Sequence, residues 1–485
     1  MIPLTLAEIA EIVGGRLQGA DPGALVTGLV EFDSRKVEAG GLFLALPGER
    51  VDGHDYVAAA IGRGAVAALV TRPVEGPRIE VADGFAALAA LANAVVRRLP
   101  DTVVIAITGS SGKTSTKDVI AQLLARLGAT VAPPGSFNNE LGHPYTVLLA
   151  DTDTRYLVLE TSARGIGHIA FLAGIAPPRI GVVLNVGSAH LGEFGSRGSI
   201  AAAKGELIEA LPAAAAGGVA VLNADDPLVL RMATRTAARV VTVGAAAGAD
   251  LRADDVTFDD LGRAGFTLHV AGASVPVRLR LVGGHQVGNA LAAAAVALEC
   301  GMPLADVATA LGQAVPTSRW RMELTERADG VVVINDAYNA NPESMRAALE
   351  ALASVGRPRR ARGGRAFAVL GPMAELGADG PAEHDALGHL AGRLDVSRVI
   401  AVGEQARPIQ HGAALEGSWG GSASWVPDAE AAIAVLREEL RPGDVVLVKA
   451  SRSASLERVA LAIADDSPPG SEPDAGTDRT GGTAA

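Results

Sequence analysis

The sequence is poor in cysteine, in aromatic side chains and in net positive charge. Cys300 is the single cysteine, so the chain cannot form a disulfide framework, and a reducing compartment such as the cytoplasm is expected. Aromatic residues make up 3% of the sequence, so the cores must consist mainly of Ala, Val and Leu. The formal net charge of −12 argues against a nucleic-acid partner, which would require a basic face.

Long apolar runs are missing as well. The apolar stretch at residues 85–96 is interrupted by Asn93 and followed by two arginines, and it is too short to span a bilayer. The N-terminus has no basic segment before an apolar one, so no signal peptide is expected. We therefore expect no stable membrane insertion and, because no assembly motif is visible, a monomer.

The length of the sequence and its alternation of predicted strands and helices predict an α/β protein of about three domains. Residues 1–100 are predicted as a small N-terminal α/β domain that opens with a capping box, Thr5 and Glu8, and a short helix. Residues 101–316 are predicted as a central domain and residues 317–465 as a C-terminal Rossmann-like domain. Residues 466–485 are rich in Ser, Pro, Gly, Asp and Thr and are expected to be a disordered tail.

The central and C-terminal domains are predicted from alternating strand and helix patterns. In the central domain we predict strands at 103–107, 156–160, 180–184 and 219–222 and helices at 113–127, 199–211 and 286–300. This alternation favours a mostly parallel sheet covered on both faces, with a β insertion at 250–282. In the C-terminal domain we predict strands at 331–335, 366–370, 398–402 and 445–448 and helices at 342–355, 382–393, 428–439 and 454–464.

The strongest local signal is a Gly-rich loop between a predicted strand and a predicted helix. It reads Thr108-Gly109-Ser110-Ser111-Gly112-Lys113-Thr114-Ser115. Backbone N–H groups at the start of a helix bind phosphate, a lysine there reaches the β- and γ-phosphates, and the following hydroxyl can hold Mg²⁺. The motif is shorter than a full Walker A, because Ile107 stands where that pattern has its first glycine. The alternative, a turn that merely caps a helix, does not explain the lysine.

Lysine is rare in this sequence, since arginine supplies nearly all the other positive charge. The five lysines are Lys36, Lys113, Lys117, Lys204 and Lys449. Lysine and arginine are not interchangeable, so each lysine is a candidate for chemistry specific to an ammonium group.

Two further residues follow predicted strands at the edge where ligands of α/β sheets bind. Glu160 ends one strand, and His190 follows the strand that begins at Gly181. With Thr114 they could meet around a metal ion that carries phosphates. The alternative for each residue alone is that it satisfies loop backbone.

A series of further motifs stands in order over nearly the whole chain. Besides the Gly-rich loop, the motifs are Asn138-Asn139-Glu140-Leu141-Gly142, Asn185 to His190, Lys204-Gly205-Glu206, Asn223-Ala224-Asp225-Asp226, Gly284-His285 to Asn289, Arg319-Trp320-Arg321-Met322-Glu323 and Asp336-Ala337-Tyr338-Asn339-Ala340-Asn341. Together they resemble the Mur ligases, the ATP-dependent amino-acid ligases of peptidoglycan synthesis. The resemblance implies a P-loop-type ATPase domain at the centre of the chain.

Within that family, three stretches resemble the last member of the pathway, which adds D-alanyl-D-alanine to UDP-N-acetylmuramoyl-tripeptide. They are D-A-Y-N-A-N-P-E-S-M at 336–345, G-P-M-A-E-L-G at 371–377 and V-K-A-S-R-S at 448–453. The sequence departs from the usual family pattern at Thr161-Ser162, at Pro372 and at Ala450. It leaves open whether the third residue of the tripeptide is diaminopimelate or lysine.

The resemblance implies ATP and Mg²⁺ as cofactors and an acyl-phosphate intermediate. Thr108 to Ser115 would bind ATP, with Lys113 stabilising charge on the phosphates. Thr114 and Glu160 would hold one Mg²⁺, and His190 together with a carbamylated Lys204 would hold the second. Three more residues are implied at the nucleotide: Asn289 on adenine, and Arg319 and Asp336 on phosphate and ribose.

The resemblance also implies residues that bind the substrates. The N-terminal domain would hold the anionic UDP end through Ser34 and Arg35, and Asn138 and Asn139 would contact the muramoyl-peptide. Candidates for the peptide or dipeptide side are Tyr338, Asn339, Asn341, Lys449, Ser451 and Arg452. The alternative for each of these polar residues is a role in a turn or a cap.

Other interpretations remain open at this point. Another Mur-type amide ligase, adding a diamino acid or of the folyl-polyglutamate type, would keep the phosphate loop. A nucleotide-regulated binding protein without catalysis would be expected to have lost Glu160, His190 and Lys204, which are all present. A DNA-handling ATPase is disfavoured by the net charge and by the incomplete Walker pattern.

Overall fold

The computed structural model describes residues 1–48, 51–133, 135–187 and 194–465. The described residues form two compact units. The first unit contains Met1–Arg321 with Asn341–Ala347 and Ala374–Gly380, and the second contains the remaining described residues. Three mainly parallel sheets, two in the first unit and one in the second, confirm the α/β class and the three-domain architecture.

The N-terminal domain is built on a five-stranded sheet. The strands of the domain are β1 Leu4–Thr5, β2 Arg16–Gln18, β3 Leu25–Val26, β4 Val30–Glu31, β5 Leu42–Leu44, β6 Ala67–Val70 and β7 Arg78–Glu80, and its helices are α1 Leu6–Ile12, α2 Val57–Gly62 and α3 Gly84–Arg97. Strands β1 and β3 pair with each other in a separate antiparallel sheet. The sheet order is β2-β7-β6-β5-β4, antiparallel only between β2 and β7. The predicted capping box is confirmed, because the Thr5 hydroxyl accepts from Glu8 N and the Glu8 carboxylate accepts from Thr5 N.

The central domain is built on a nine-stranded sheet. Its strands are β8 Val103–Thr108, β9 Thr130–Val131, β10 Tyr156–Glu160, β11 Ile180–Val183, β12 Val219–Asn223, β13 Arg239–Gly244, β14 Leu251–Phe258, β15 Arg263–Val270 and β16 Ala273–Val282. Its helices are α4 Lys113–Leu124, α5 Gly142–Val147, α6 His168–Ile175, α7 Arg197–Glu209, α8 Pro227–Leu230, α9 His285–Glu299 and α10 Leu304–Gln313.

In this sheet β8 lies between β10 and β11, in the order β16-β15-β14-β13-β12-β11-β8-β10-β9. The strands from β9 to β14 along this order are parallel, whereas β14, β15 and β16 form the predicted antiparallel insertion. Because β8, β10 and β11 are buried on both faces, they read as continuous apolar runs. Their carboxyl ends form the sheet edge where the site lies.

The N-terminal and central domains share one apolar core. Helix α3 packs against α5 and α6, and its buried face lies in the same cluster as Leu157 and Leu159 of β10. The polar residue that interrupts the apolar run of α3, Asn93, donates to the carbonyl oxygens of Gly174 and Ile175, both at 2.9 Å. These contacts tie α3 to the C-terminal end of α6.

The C-terminal domain is built on a six-stranded sheet. Its strands are β17 Glu323–Glu326, β18 Val332–Asn335, β19 Ala366–Leu370, β20 Arg398–Val402, β21 Ser422–Val426 and β22 Val445–Lys449, and its helices are α11 Pro342–Arg360, α12 Gly380–Arg393, α13 Arg407–Ala414, α14 Ala429–Glu439 and α15 Glu457–Asp465. The order is β17-β18-β22-β19-β20-β21, with only β17 antiparallel to its neighbour. Over the ranges described above, no helix has both the length and the apolar character required to cross a bilayer.

Candidate functional site

The predicted phosphate loop joins the end of β8 to the start of α4. Gly112 has a left-handed φ of 81°, and a Cβ atom there would lie 2.7 Å from the side-chain oxygen of Asn289. Only glycine fits this position without strain, because the conformation and the space both exclude a side chain. The strand–loop–helix arrangement predicted from the sequence is therefore confirmed.

A second loop, which follows β11, holds the phosphate loop in place. Ser110 N donates to the backbone oxygen of Asn185 at 3.1 Å, and Ser111 N donates to its side-chain oxygen at 2.9 Å. The hydroxyl of Ser110 accepts from Gly187 N at 2.9 Å. Asn341, predicted at the dipeptide, donates through Nδ2 to the oxygen of Ser110 at 3.2 Å. The loop geometry is thus set by residues far away in sequence.

Lys113 lies in the phosphate loop, at the first position of α4. Its ammonium donates to the carbonyl oxygen of Gly109 at 2.7 Å. Burial lowers the pKa of Lys113; the negative charge of Glu160 acts against this shift and the positive charge of Arg321 adds to it. The structure therefore brings Lys113, Glu160 and Arg321 close enough for their charges to interact.

Glu160 ends β10 and is completely buried. Its Oε2 atom accepts from the hydroxyl of Ser136 at 3.1 Å and from Nδ2 of Asn138 at 3.4 Å. Its Oε1 atom has no hydrogen-bond partner among the described residues. A buried carboxylate oxygen without a partner is costly, so this atom is suited to bind a cation. Thr114, a buried residue at the start of α4, carries a hydroxyl oxygen, which is also a ligand type that Mg²⁺ prefers.

His190 lies outside the described residues, so its predicted part in the metal site stays a prediction. In the part of the chain that the structure describes, no cluster of three or more His, Cys, Asp or Glu side chains could hold a metal ion. Mg²⁺ in nucleotide sites is usually held by one or two protein oxygens together with phosphate oxygens and water.

Lys204 lies on α7 and is 6% exposed. Burial lowers the pKa of Lys204 well below its usual value, and the positive charge of Lys113 lowers it further. A lysine in these surroundings is neutral more often than an exposed one, because its charged form is both desolvated and repelled. This is the protonation state that a reaction with CO₂ requires.

The two residues after Lys204 have structural roles. The Glu206 carboxylate accepts from Gly167 N at 2.5 Å and from Ala170 N at 3.0 Å, so it caps the start of α6. Gly205 leaves room for the guanidinium of Arg235, which donates to the carbonyl oxygens of Ala201 and Ala202.

We expect Gly205→Ala to lower stability by about 1–3 kcal/mol, although alanine is normally the better helix residue. The new methyl group would overlap the guanidinium of Arg235 and break its hydrogen bonds to the helix. The matched control is Gly174→Ala on α6, where a Cβ atom meets nothing within 4 Å and stability should stay level or rise. The thermal unfolding midpoints of the two variants test whether the substitutions change stability in opposite directions.

Arg321 is a residue of the site that the sequence reasoning missed. Its Nη2 atom donates to the Thr114 hydroxyl at 3.3 Å, whereas Arg319, the residue predicted at the nucleotide, is exposed. The residue between them, Trp320, has a φ of 60°, and nearby Met322 has a φ of 51°. Both values lie in the left-handed region, so the backbone here is not regular helix or strand. The motif R-W-R contains two arginines, and no local pattern indicates which of them faces the phosphate loop.

Asn289, predicted to read adenine, lies on α9 next to the phosphate loop. Its Nδ2 atom donates to the side-chain oxygen of Gln286 at 2.9 Å. Beside it a cleft is lined by Ser115, Asp118, Val119, Leu281, Gln286, Val315, Pro316 and Arg321. Its walls combine apolar side chains with amide, hydroxyl and charged groups, and its interior of about 10 Å³ has room for about one water molecule.

Asn138 and Asn139 are both engaged within the protein. Asn138 donates to the Ser136 hydroxyl at 2.8 Å, in addition to its contact with Glu160. The side chain of Asn139 accepts from Gly142 N at 2.8 Å, at the start of α5. Thr161, one departure from the family pattern, donates through its hydroxyl to the oxygen of Ile107, so it ties β10 to β8.

The predicted UDP-binding residues follow β4 in the N-terminal domain. The side chain of Arg35 is 86% exposed and forms an ion pair with Asp33 at 2.9 Å. Hydrogen bonds from Arg35 hold the pKa of Asp33 at about 2. Ser34 lies between them and is half-buried. An exposed guanidinium is available for an anionic ligand, although Asp33 already offsets part of its charge.

In the C-terminal domain, Asp336 and Lys449 form a buried ion pair. The Lys449 ammonium lies 2.6 Å from Oδ2 of Asp336 and donates to the oxygen of Asn339 at 2.8 Å, and Oδ1 of Asp336 accepts from Met322 N at 3.0 Å. The pair therefore fixes the loop after β18 to the end of β22. Tyr338 in that loop is half-buried and Asn339 is exposed.

The remaining predicted residues of this domain follow β22. Ser451 is buried and donates to the oxygen of Ala340 at 3.4 Å, and Arg452 pairs with Glu457 at 2.8 Å. The departures at 372 and 450 fit locally: Ser451 N donates to the oxygen of Pro372, and the methyl group of Ala450 lies where Gly371 leaves space.

The three domains match three models of one protein family. Residues 27–101 match the Mur ligase family catalytic domain, residues 107–297 the Mur ligase middle domain and residues 320–452 the Mur ligase, glutamate ligase domain. The chain belongs to the Mur ligase family.

Similar proteins cover nearly the whole chain. The chain is 55% identical to the UDP-N-acetylmuramoyl-tripeptide--D-alanyl-D-alanine ligase of Mycobacterium tuberculosis, over 96% of this chain and 99% of that protein. It is 36% identical to the ligase of the same name from Escherichia coli, with the same coverage. The crystal structure of MurF from Acinetobacter baumannii superimposes with a TM-score of 0.85 at 31% identity, over 96% of this chain and 99% of that one. MurF ligase from Thermotoga maritima, in complex with ADP, gives a TM-score of 0.77 at 30% identity, over 91% and 98%.

Proposed function

We propose that this chain is an ATP-dependent ligase that joins D-alanyl-D-alanine to UDP-N-acetylmuramoyl-tripeptide. The products are the pentapeptide precursor of peptidoglycan, ADP and phosphate. The observation that carries this proposal is the 55% identity, over 96% of the chain, to an enzyme named for that reaction. The charged groups beside the phosphate loop support it: Lys113 interacts electrostatically with Glu160, Arg321 and Lys204, and Glu160 and Lys204 are buried.

A carboxylate does not react with an amine at neutral pH, so it must first be activated. A carboxylate oxygen of the tripeptide attacks the γ-phosphorus of ATP, and ADP leaves. The amine of the dipeptide then attacks the acyl carbon, loses a proton and expels phosphate. The protein binds, orients and neutralises charge in these steps, as in other phosphoryl transfers. Backbone N–H groups of the loop and the ammonium of Lys113 face the phosphates, and Asn289 lies on the nucleobase side.

Thr114 and Glu160 would hold one Mg²⁺, and the orphaned Oε1 atom of Glu160 fits this role. Bound Mg²⁺ neutralises charge that develops on the phosphate oxygens. Lys204 would act as a carbamate, formed when its neutral amine adds to CO₂ and releases one proton. Together with His190, that anion would hold a second Mg²⁺. The buried position of Lys204 and its lowered pKa support this assignment.

The remaining site assignments extend the same proposal. Ser34 and Arg35 bind the UDP end, Asn138 and Asn139 support the muramoyl-peptide side, and Arg319 and Asp336 contribute at phosphate and ribose. Tyr338, Asn339, Asn341, Lys449, Ser451 and Arg452 shape the peptide and dipeptide side. We also propose domain boundaries at 1–100, 101–316 and 317–465, a monomeric state and a cytoplasmic location. The tail predicted at 466–485 lies outside the described residues.

The test is phosphate release from ATP and Mg²⁺ with UDP-N-acetylmuramoyl-tripeptide, with and without D-alanyl-D-alanine. We expect release that requires both substrates, and a product whose mass is that of the tripeptide plus one dehydrated dipeptide. Running the assay with diaminopimelate- and lysine-containing tripeptides identifies the third residue. Release that ignores the dipeptide but responds to a free diamino acid would favour a sibling ligase and contradict the proposed acceptor.

A further inference from the structure

Lys117 is a fully buried lysine that the proposed chemistry does not use. It lies on α4, one turn after Lys113, and is 1% exposed. Its ammonium donates to the carbonyl oxygens of Pro133 at 2.5 Å and Gly135 at 3.2 Å and pairs with Oδ1 of Asp118 at 2.7 Å. A buried charge is costly, and apolar residues can often replace a buried ion pair without loss of stability. Stability alone is therefore a weak explanation for this pair.

The first set of contacts connects Lys117 to Glu160 through the segment at 135–136. Gly135, whose oxygen accepts from Lys117, directly precedes Ser136. The hydroxyl of Ser136 donates to Oε2 of Glu160 at 3.1 Å. That contact occupies one carboxylate oxygen and leaves the other, Oε1, as the buried atom without a partner. Lys117 therefore fixes the group that orients the candidate metal ligand.

The second set of contacts connects Lys117 and Asp118 to the segment that precedes Arg321. The Oδ2 atom of Asp118 accepts from Ser318 N at 2.9 Å, and Lys117 reaches the Ser318 hydroxyl at 3.4 Å. One turn further along α4, Gln122 exchanges two hydrogen bonds with the backbone of Val315, at 2.9 and 3.0 Å. The backbone at 315–318 is thus held against α4, three residues before Arg321 reaches the Thr114 hydroxyl.

We infer that Lys117, paired with Asp118, is a positioning residue for the metal–nucleotide site. It holds Ser136, and through it Glu160, and it holds the segment that carries Arg321, both relative to the phosphate-loop helix. The inference rests on the proposed function in so far as Glu160 binds Mg²⁺ beside a nucleotide. Residues that orient metal ligands typically change metal affinity about 10–100-fold when they are removed.

The experiment uses the double variant Lys117→Met/Asp118→Asn in the full chain. The pair becomes neutral and nearly isosteric, and the asparagine oxygen can still accept from Ser318 N, so the fold should survive. The readout is ADP affinity measured by calorimetry with and without Mg²⁺, which needs no catalysis. We expect ADP affinity without Mg²⁺ to change by less than about threefold, whereas the gain in affinity that Mg²⁺ produces falls by about 10-fold.

Two further variants separate positioning from general destabilisation. Arg365→Met/Asp444→Asn removes another ion pair with a buried aspartate, in the C-terminal domain at the amino ends of β19 and β22, and should leave the Mg²⁺ effect unchanged. Ser136→Ala removes only the hydroxyl that contacts Glu160 and should weaken the Mg²⁺ effect without unfolding the protein. Ser136→Ala decides the question if the Lys117 variant does not fold.

The outcomes are distinct. A Mg²⁺ effect in Lys117→Met/Asp118→Asn equal to that of the wild type, or in Ser136→Ala if the double variant does not fold, would overturn the inference and leave the proposed function intact. A wild-type protein whose ADP affinity ignores Mg²⁺ would overturn the metal part of the proposed function and this inference together. Failure of the acceptor assay with a normal Mg²⁺ effect would change only the proposed substrate.

Discussion

Replacing Lys113 with methionine is expected to lower the rate of ligation by about 10³-fold or more, comparable to the loss of other cations that stabilise phosphoryl transfer. In the proposed mechanism the ammonium stabilises the negative charge that develops on the transferring phosphate, and methionine is of similar size without the charge. The rate is measured as dipeptide-dependent phosphate release at saturating ATP. The rate of Lys113→Arg should be nearly as low as that of Lys113→Met, because a planar guanidinium does not reproduce a compact ammonium in this loop.

The thermal stability of Lys113→Met is the control for a loss of activity through unfolding. Because burial lowers the pKa of Lys113, its charged form is disfavoured by the fold. Removing the charge should therefore leave the thermal midpoint unchanged or raise it. A variant that retains more than a tenth of the wild-type rate would show that Lys113 has no major role in charge stabilisation.

Replacing Lys204 with alanine is expected to lower the rate by about 10²–10³-fold, as for other groups that stabilise charge in a transition state, and short carboxylic acids or bicarbonate should restore part of it. Truncation of this 6%-exposed side chain leaves a cavity beside Lys113, and a small anion can take the place of the carbamate. The measurement is the rate of Lys204→Ala at increasing acetate or bicarbonate concentration, at fixed ionic strength.

Two other substitutions at this position test the chemical explanation. Lys204→Met fills the cavity and Lys204→Arg places a permanent cation there, so neither should respond to added acids. Wild-type activity should fall as the pH is lowered through the depressed pKa of Lys204, since the neutral amine becomes scarce. Full activity of Lys204→Ala without additives would refute a carbamate at this residue.

The parts of the fold that could be predicted from the sequence are those fixed by local pattern. The strands at 156–160, 366–370 and 398–402 agree residue for residue with the structure, because each is an apolar run bounded by polar or turn residues. The β insertion followed from its alternating pattern. Two neighbouring short strands, β2 Arg16–Gln18 at the sheet edge and β7 Arg78–Glu80 beside it, were missed, since short half-polar segments carry little periodicity.

Helix α6 shows why some helices could not be predicted. It begins after Gly167, which has a left-handed φ of 90° and provides no side-chain cap. Its first N–H groups are capped instead by Glu206, 39 residues away from Gly167 in sequence. A start signal supplied by another helix is invisible to any local window.

In the candidate site, too, some features follow from local sequence and others depend on long-range contacts. The phosphate loop, Glu160 at a strand end and the isolated lysine at 204 were all found from local sequence. The partners of these residues depend on contacts over long sequence separations, such as Arg321 with Thr114 and Asn341 with Ser110. Arg321 was therefore not assigned to the site from the sequence, and the contact of Asn341, predicted on the peptide or dipeptide side, with the phosphate loop was not foreseen.

The core shared by α3 and β10 restricts how this chain can be divided. Leu157 and Leu159 pack in one cluster with the buried face of α3, and Asn93 closes the contact with α6. A fragment cut after residue 100 would expose that apolar helix face, built mainly of Ala, Leu and Val, to water and would be prone to aggregate. Chimeras that exchange substrate-recognition parts between related ligases should therefore carry α5, β10 and α6 along with the N-terminal segment.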